Sequence, residues 1–181
     1  MILITVLDLY YKITVISIFI IILDNNTIER KRWIFMNEEY LNQDIDNPIY
    51  VFHGSPKKID KLIPIQSCDS NDNKNNIAQA IFLFPSFLKA TPYAFKDTIK
   101  DNSSGLKWNF IIPNSNTFPL MTMENVNISE NIIGYIYVFK KDDRIIKDND
   151  SYQYKCYEEL IPLDIVTINY KDYSKYYKII N

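Results

Sequence analysis

The chain has 181 residues, 47% of them hydrophobic, 14% aromatic and 23% charged, with a formal net charge of −2. That size can bury a self-sufficient core, and the aromatic content excludes a disordered chain, which lacks the apolar surface to offset ordering entropy. The near-neutral balance argues against duplex nucleic acid as a partner, because phosphate contacts need a basic surface. Two cysteines (Cys68 and Cys156) and one histidine exclude a disulfide scaffold, a multi-cysteine zinc site and any site built on two imidazoles; no metal site is expected.

The amino end is the most apolar part. Residues 1–7 and 13–23 are apolar runs separated by Asp8, Tyr10, Tyr11 and Lys12. As a helix, 1–23 would reach about 34 Å, enough for a bilayer core. Asp8 and Lys12, at i and i+4, would partly neutralise each other. Glu29-Arg30-Lys31-Arg32 follows, so the positive-inside rule predicts a cytoplasmic domain tethered by one amino-terminal span. The alternative is an over-extended start, with Met36 opening an ordinary polar beginning. Residues 24–46 read as a polar linker and 47–181 as the folded domain.

In the body, short strands alternate with polar loops. Ile49-Tyr50-Val51-Phe52 is predicted to be a buried strand ended by His53-Gly54-Ser55-Pro56. A loop at 66–76 precedes a second buried strand, Ala80-Ile81-Phe82-Leu83-Phe84, stopped by Pro85. Thr91-Pro92 reads as the N-cap and first position of a helix running to about Ile99. Trp108–Ile112 is a third strand. Gly134–Phe139, whose tyrosines alternate with apolar residues, is a fourth. Ile145-Ile146, Tyr152–Tyr157 and Leu160–Ile168 carry the closing strands, and the Tyr- and Lys-rich tail from Tyr170 has no predicted state. The fold class is α+β with strands dominating.

Only three glycines are present: Gly54, Gly105 and Gly134. Gly54 directly follows the single histidine at a strand end, where a missing Cβ would let a ligand approach the backbone. An imidazole beside exposed main-chain groups suits a planar carboxamide, which takes one hydrogen bond and gives another.

In order and spacing, strand–His53-Gly54-Ser55, the strand at 80–84, then Lys89-Ala90 and Tyr93 resemble the NAD-binding half of the ADP-ribosyltransferase superfamily. The likeness is to its poly(ADP-ribose) polymerase-like branch and small uncharacterised relatives, and it covers roughly residues 47–170. It implies a split β-sandwich with short flanking helices and NAD as substrate. ADP-ribose would pass to a protein or small-molecule acceptor. His53 would bond the ribose, Gly54 would clamp the carboxamide, Ser55 would support the turn, and Tyr93 would stack on nicotinamide.

This chain departs from the pattern at three places. Phe82 replaces a tyrosine, Ala90 replaces a serine, and Gln153-Tyr154 aligns with the catalytic Glu-Tyr pair. ADP-ribose transfer passes through an oxocarbenium-like state that a carboxylate stabilises, and an amide at Gln153 cannot offset that charge. A second register, Tyr157-Glu158-Glu159-Leu160-Ile161-Pro162, resembles the arginine-directed branch and makes Glu159 catalytic. Strand alternation allows at most one of Glu158 and Glu159 to face the site. An ADP-ribosyltransferase and a non-catalytic binding module of the same fold both remain open from these residues.

Overall fold

The computed structural model describes residues 38–66, 78–110, 121–128, 131–148 and 152–180. The chain divides into two units, Met1–Asn42 and Gln43–Asn181. Of the first, residues 38–42 are described and are helical. The expectations for residues 1–23, for most of the loop at 66–76 and for Ile111 and Ile112 lie outside the described residues. Among the described residues, no helix is long and apolar enough to cross a membrane.

The larger unit is α+β. Its elements are β1 (Tyr50–Ser55), β2 (Ile65–Gln66), β3 (Gln79–Leu83), α1 (Phe87–Asp101), β4 (Lys107–Phe110), β5 (Met121–Glu124) and β6 (Ile133–Lys140). They continue with β7 (Ile146–Lys147), β8 (Tyr154–Cys156), β9 (Asp164–Asn169), α2 (Tyr170–Tyr173), a 3₁₀ turn (Ser174–Tyr176) and β10 (Tyr177–Ile180).

Among the described residues the strands form three small sheets, ordered β1-β6-β9, β2-β3-β8-β7 and β10-β5-β4. In the first, β6 is central and antiparallel to both neighbours, with His53 opposite Tyr137 and Gly54 opposite Ile136. Alternation sends Val51, Tyr137 and Phe139 to one face. There they pack with Ile81 and Leu83 of β3 and Tyr154 and Cys156 of β8 into one buried cluster. Two sheets thus share a core.

The opposite face of the first sheet lies against α1. A Cβ on Gly54 would meet the Ala90 carbonyl, and one on Gly134 would meet the Ala94 carbonyl oxygen (2.6 Å) and its Cβ (2.7 Å). Glycines on two adjacent strands and alanines one helical turn apart let the helix backbone lie directly on the sheet.

Helix α1 begins five residues before the expected start. Its N-cap is Ser86, and Pro92 lies inside it. Pro92 has no N–H for the Leu88 carbonyl, and Thr91 Oγ1 donates to that oxygen instead at 2.9 Å. Phe87 and Leu88, 1% and 3% exposed, hold the first turn in the core. The tail is ordered as well, because β10 pairs in parallel with β5, Tyr177 opposite Met121.

Candidate functional site

The site is built where β1 and β3 part. On the edge of β1 away from β6, Tyr50 exchanges hydrogen bonds with the Gln43 side chain, which also donates to the Pro85 carbonyl. Phe52 exchanges both of its backbone bonds with Phe84 at 2.8 Å. That is an isolated bridge, and the β1–β3 pairing stops there. Antiparallel backbone groups alternate in direction, so the N–H and C=O of Gly54 face the same edge as those of Phe52, one step past the last rung.

His53 stands between these positions. Its Nδ1 lies 2.9 Å from the Phe82 carbonyl oxygen, and its ring lies 6.2 Å from that of Tyr137. A carbonyl only accepts, so the neutral ring carries its proton on Nδ1 and leaves Nε2 as an acceptor. Burial pushes the imidazole below its ordinary pKa; the Phe82 bond opposes this, and the positive charge of Lys96 adds to it. His53 therefore stays neutral near pH 7. The Tyr137 hydroxyl accepts from Ile59 N–H and donates to the Lys57 carbonyl, both at 2.7 Å, pinning the segment after His53-Gly54-Ser55. Ser55 Oγ accepts from Lys57 N–H at 3.2 Å, closing a local turn.

Tyr93, half-buried on α1, packs against Phe84 with ring centroids 4.7 Å apart. The Lys96 ammonium lies 5.5 Å from the Tyr93 centroid and 5.6 Å from that of Trp108. One turn before Tyr93, Lys89 is 3% exposed, with its ammonium 4.9 Å from the Tyr152 ring. Burial lowers its pKa, against a weaker opposing pull from Asp46.

Phe82 pairs with Lys155 in the β3–β8 register. The Lys155 ammonium sits 5.6 Å from the Phe82 centroid and 2.7 Å from Asp148 Oδ2. Gln153 immediately precedes β8, and its carbonyl accepts from Asp148 N–H at 2.9 Å. Alternation puts Gln153 on the face of Lys155 and Phe82, away from the buried Tyr154 and Cys156. Glu158 and Glu159 lie beyond the strand and are exposed. Glu159 forms an ion pair with Lys61 at 2.7 Å, and the Glu158 carbonyl accepts from Cys156 Sγ–H.

His53 and Phe82 are thus joined directly, with Gly54 beside them. Gln153 shares the Phe82 face, and Glu159 is held on the surface by Lys61. The expectation for Gly54 needs a correction. Its missing Cβ admits the helix backbone at Ala90 and not a ligand over its Cα. Lys96 and Trp108 went unnoticed in the sequence. The i, i+3 spacing of Tyr93 and Lys96 was the available signal, since it puts both on one helix face. Compared with known proteins, the chain matches no family model, no curated protein and no solved structure.

Proposed function

We propose that the larger unit is an ADP-ribosyltransferase-like split β-sandwich that binds NAD through its nicotinamide end, with transfer of ADP-ribose disabled or strongly slowed. The observation that carries this reading is the interrupted β1–β3 ladder. Past Phe52, the Gly54 backbone has a donor and an acceptor on one strand edge, which is what a carboxamide needs. His53 Nε2, an acceptor fixed by the Nδ1–Phe82 bond, takes a ribose hydroxyl. Tyr93 supplies the ring on which nicotinamide stacks.

The chemistry is the weaker half. Cleaving the bond between ribose and nicotinamide builds positive charge on the sugar, and a placed carboxylate is a large part of the catalysis of such steps. Gln153 has none. Phe82 lacks the phenol of the matching tyrosine, and Ala90 lacks the serine hydroxyl that would hold the carboxamide.

Calorimetric titration with NAD and with nicotinamide tests the binding claim. Saturable binding of both is expected, weakened about tenfold or more in His53→Ala and Tyr93→Ala. Absence of binding by the wild-type protein overturns the reading. An etheno-NAD transfer assay on the same protein tests the second claim, with no turnover above background expected. Robust turnover lost in Glu159→Gln would instead restore the arginine-directed register.

A further inference from the structure

The cation beside the stacking ring has a consequence for ligand choice. The Lys96 ammonium is 5.5 Å from the centroid of Tyr93 and 5.6 Å from that of Trp108. Its side chain is 30% exposed, and it pairs with Asp97, the next residue, at 3.5 Å with 53% of that side chain in solvent. An exposed partner at that distance neutralises little. The neighbouring aromatic and imidazole groups, Tyr93, Trp108, Phe84 and His53, bring no negative charge. Gln153, where the resemblance expects a glutamate, brings none either.

A ring that stacks on Tyr93 must share it with this ammonium. An aromatic face attracts one cation through its quadrupole, and a second cation on the same ring meets the repulsion of the first. The nicotinamide ring of NAD carries a positive charge, whereas dihydronicotinamide and free nicotinamide are neutral. Two unit charges roughly 6 Å apart at a partly solvated site repel enough to alter a dissociation constant about tenfold.

We infer that Lys96 is a specificity-determining residue that filters ligands by ring charge, so that the site takes the reduced dinucleotide NADH in preference to NAD. The inference rests on the proposed nicotinamide site, and it explains what a transferase-like fold without a carboxylate would hold: the form of the cofactor that has no scissile cationic leaving group.

Titration of the full chain with NADH and with NAD in low-salt buffer, each read by calorimetry and by tryptophan fluorescence, tests it. NADH is expected to bind about tenfold more tightly. Lys96→Met, which keeps the aliphatic stem, should bring the two affinities together, chiefly by strengthening NAD. Asp97→Asn, which removes the nearest counter-charge, should widen the gap. Equal affinities in the wild type, or a preference unchanged in Lys96→Met, overturn the filter while leaving the nicotinamide site standing. Failure of both dinucleotides to bind removes the site and the filter together. Circular dichroism melts of both variants confirm that fold loss is not the cause of any change.

Discussion

Gly54 and Ala90 meet backbone to backbone: a Cβ built on Gly54 would fall well inside contact distance of the Ala90 carbonyl oxygen and 2.8 Å from the Ala94 amide nitrogen. Neither atom belongs to a side chain that could rotate away. Gly54→Ala must therefore push α1 off the first sheet, and overpacking of this kind costs about 3 kcal/mol or more. Gly134→Ala, which meets the Ala94 carbonyl at 2.6 Å, should cost a similar amount. Gly105 has φ +70° with nothing within 4 Å of its Cβ position, so Gly105→Ala carries only conformational strain, about 1 kcal/mol. Urea unfolding of the three variants checks the ranking. Ala90→Gly should fail to rescue Gly54→Ala, because the clash is with the main chain.

The single histidine makes the pH dependence readable. Burial, assisted by Lys96, holds the folded-state pKa of His53 below the ordinary imidazole value of about 6.5. Below that pH the unfolded chain takes up a proton that the folded chain resists, so stability falls as pH drops. Above it both states are neutral and His53 contributes no slope. The slope has a ceiling of about 1.4 kcal/mol per pH unit for one group. Unfolding free energies measured between pH 7.5 and 5.5 should decline below about pH 6.5, and His53→Gln should flatten that limb. An unchanged slope in the variant would mean that the imidazole is solvated in the folded protein.

How much of this was legible in the sequence depends on which force set each element. Strands β1, β3 and β6 were readable because runs such as Tyr50-Val51-Phe52 and Ile136-Tyr137-Val138-Phe139 are β-branched and aromatic over a full strand length. The start of α1 was misread because Thr91-Pro92 carries a strong local signal, while the forces that extend the helix back to Phe87 are tertiary. They come from the burial of Phe87 and Leu88; the bond from Thr91 to Leu88 is local and stands in for the N–H that Pro92 lacks. Strand β10 was invisible for the same reason, since Tyr177 is fixed by a partner 86 positions away. At the site, the adjacency of His53 and Gly54 could be read directly. The bond from His53 to Phe82 and the end of the β1–β3 ladder depend on how two sheets meet, which no local pattern encodes.

Thr91 invites a double-mutant cycle. Its hydroxyl donates to the Leu88 carbonyl and pairs with the Tyr177 hydroxyl, whose own ionisation burial makes much harder. With Thr91 donating to Leu88, Tyr177 must be the donor to Thr91, which makes a buried chain of two bonds. Thr91→Val keeps the shape and orphans both partners, at a cost of about 2–3 kcal/mol. In a Pro92→Ala background the restored N–H can serve Leu88. The same substitution should then cost about 1 kcal/mol less, measured by denaturant unfolding of all four proteins. A strictly additive cycle would mean that Leu88 O is satisfied without Thr91.

The last expectation concerns latent chemistry. If the amide at Gln153 is what silences the site, Gln153→Glu supplies the missing charge on the face it shares with Phe82 and Lys155. Cleavage of NAD should then rise by about 10²–10³-fold over the wild-type level, the range that one well-placed electrostatic group controls in other enzymes. Phe82→Tyr alone should do little, because a neutral phenol cannot offset a developing cation, but combined with Gln153→Glu it should add to the rate. The Lys155–Asp148 pair, with side chains only 12% and 11% exposed, sits beside this position, and a new carboxylate will compete with Asp148 for the ammonium. Asp148→Asn in the Gln153→Glu background should therefore tie the glutamate to Lys155 and lower the gain. Glu159→Gln should leave all these rates unchanged, since that carboxylate is held at the surface by Lys61. Release of nicotinamide, followed by chromatography, measures each variant. A Gln153→Glu protein that binds dinucleotide as the wild type does yet releases no nicotinamide would show that the strand does not present position 153 to the ribose.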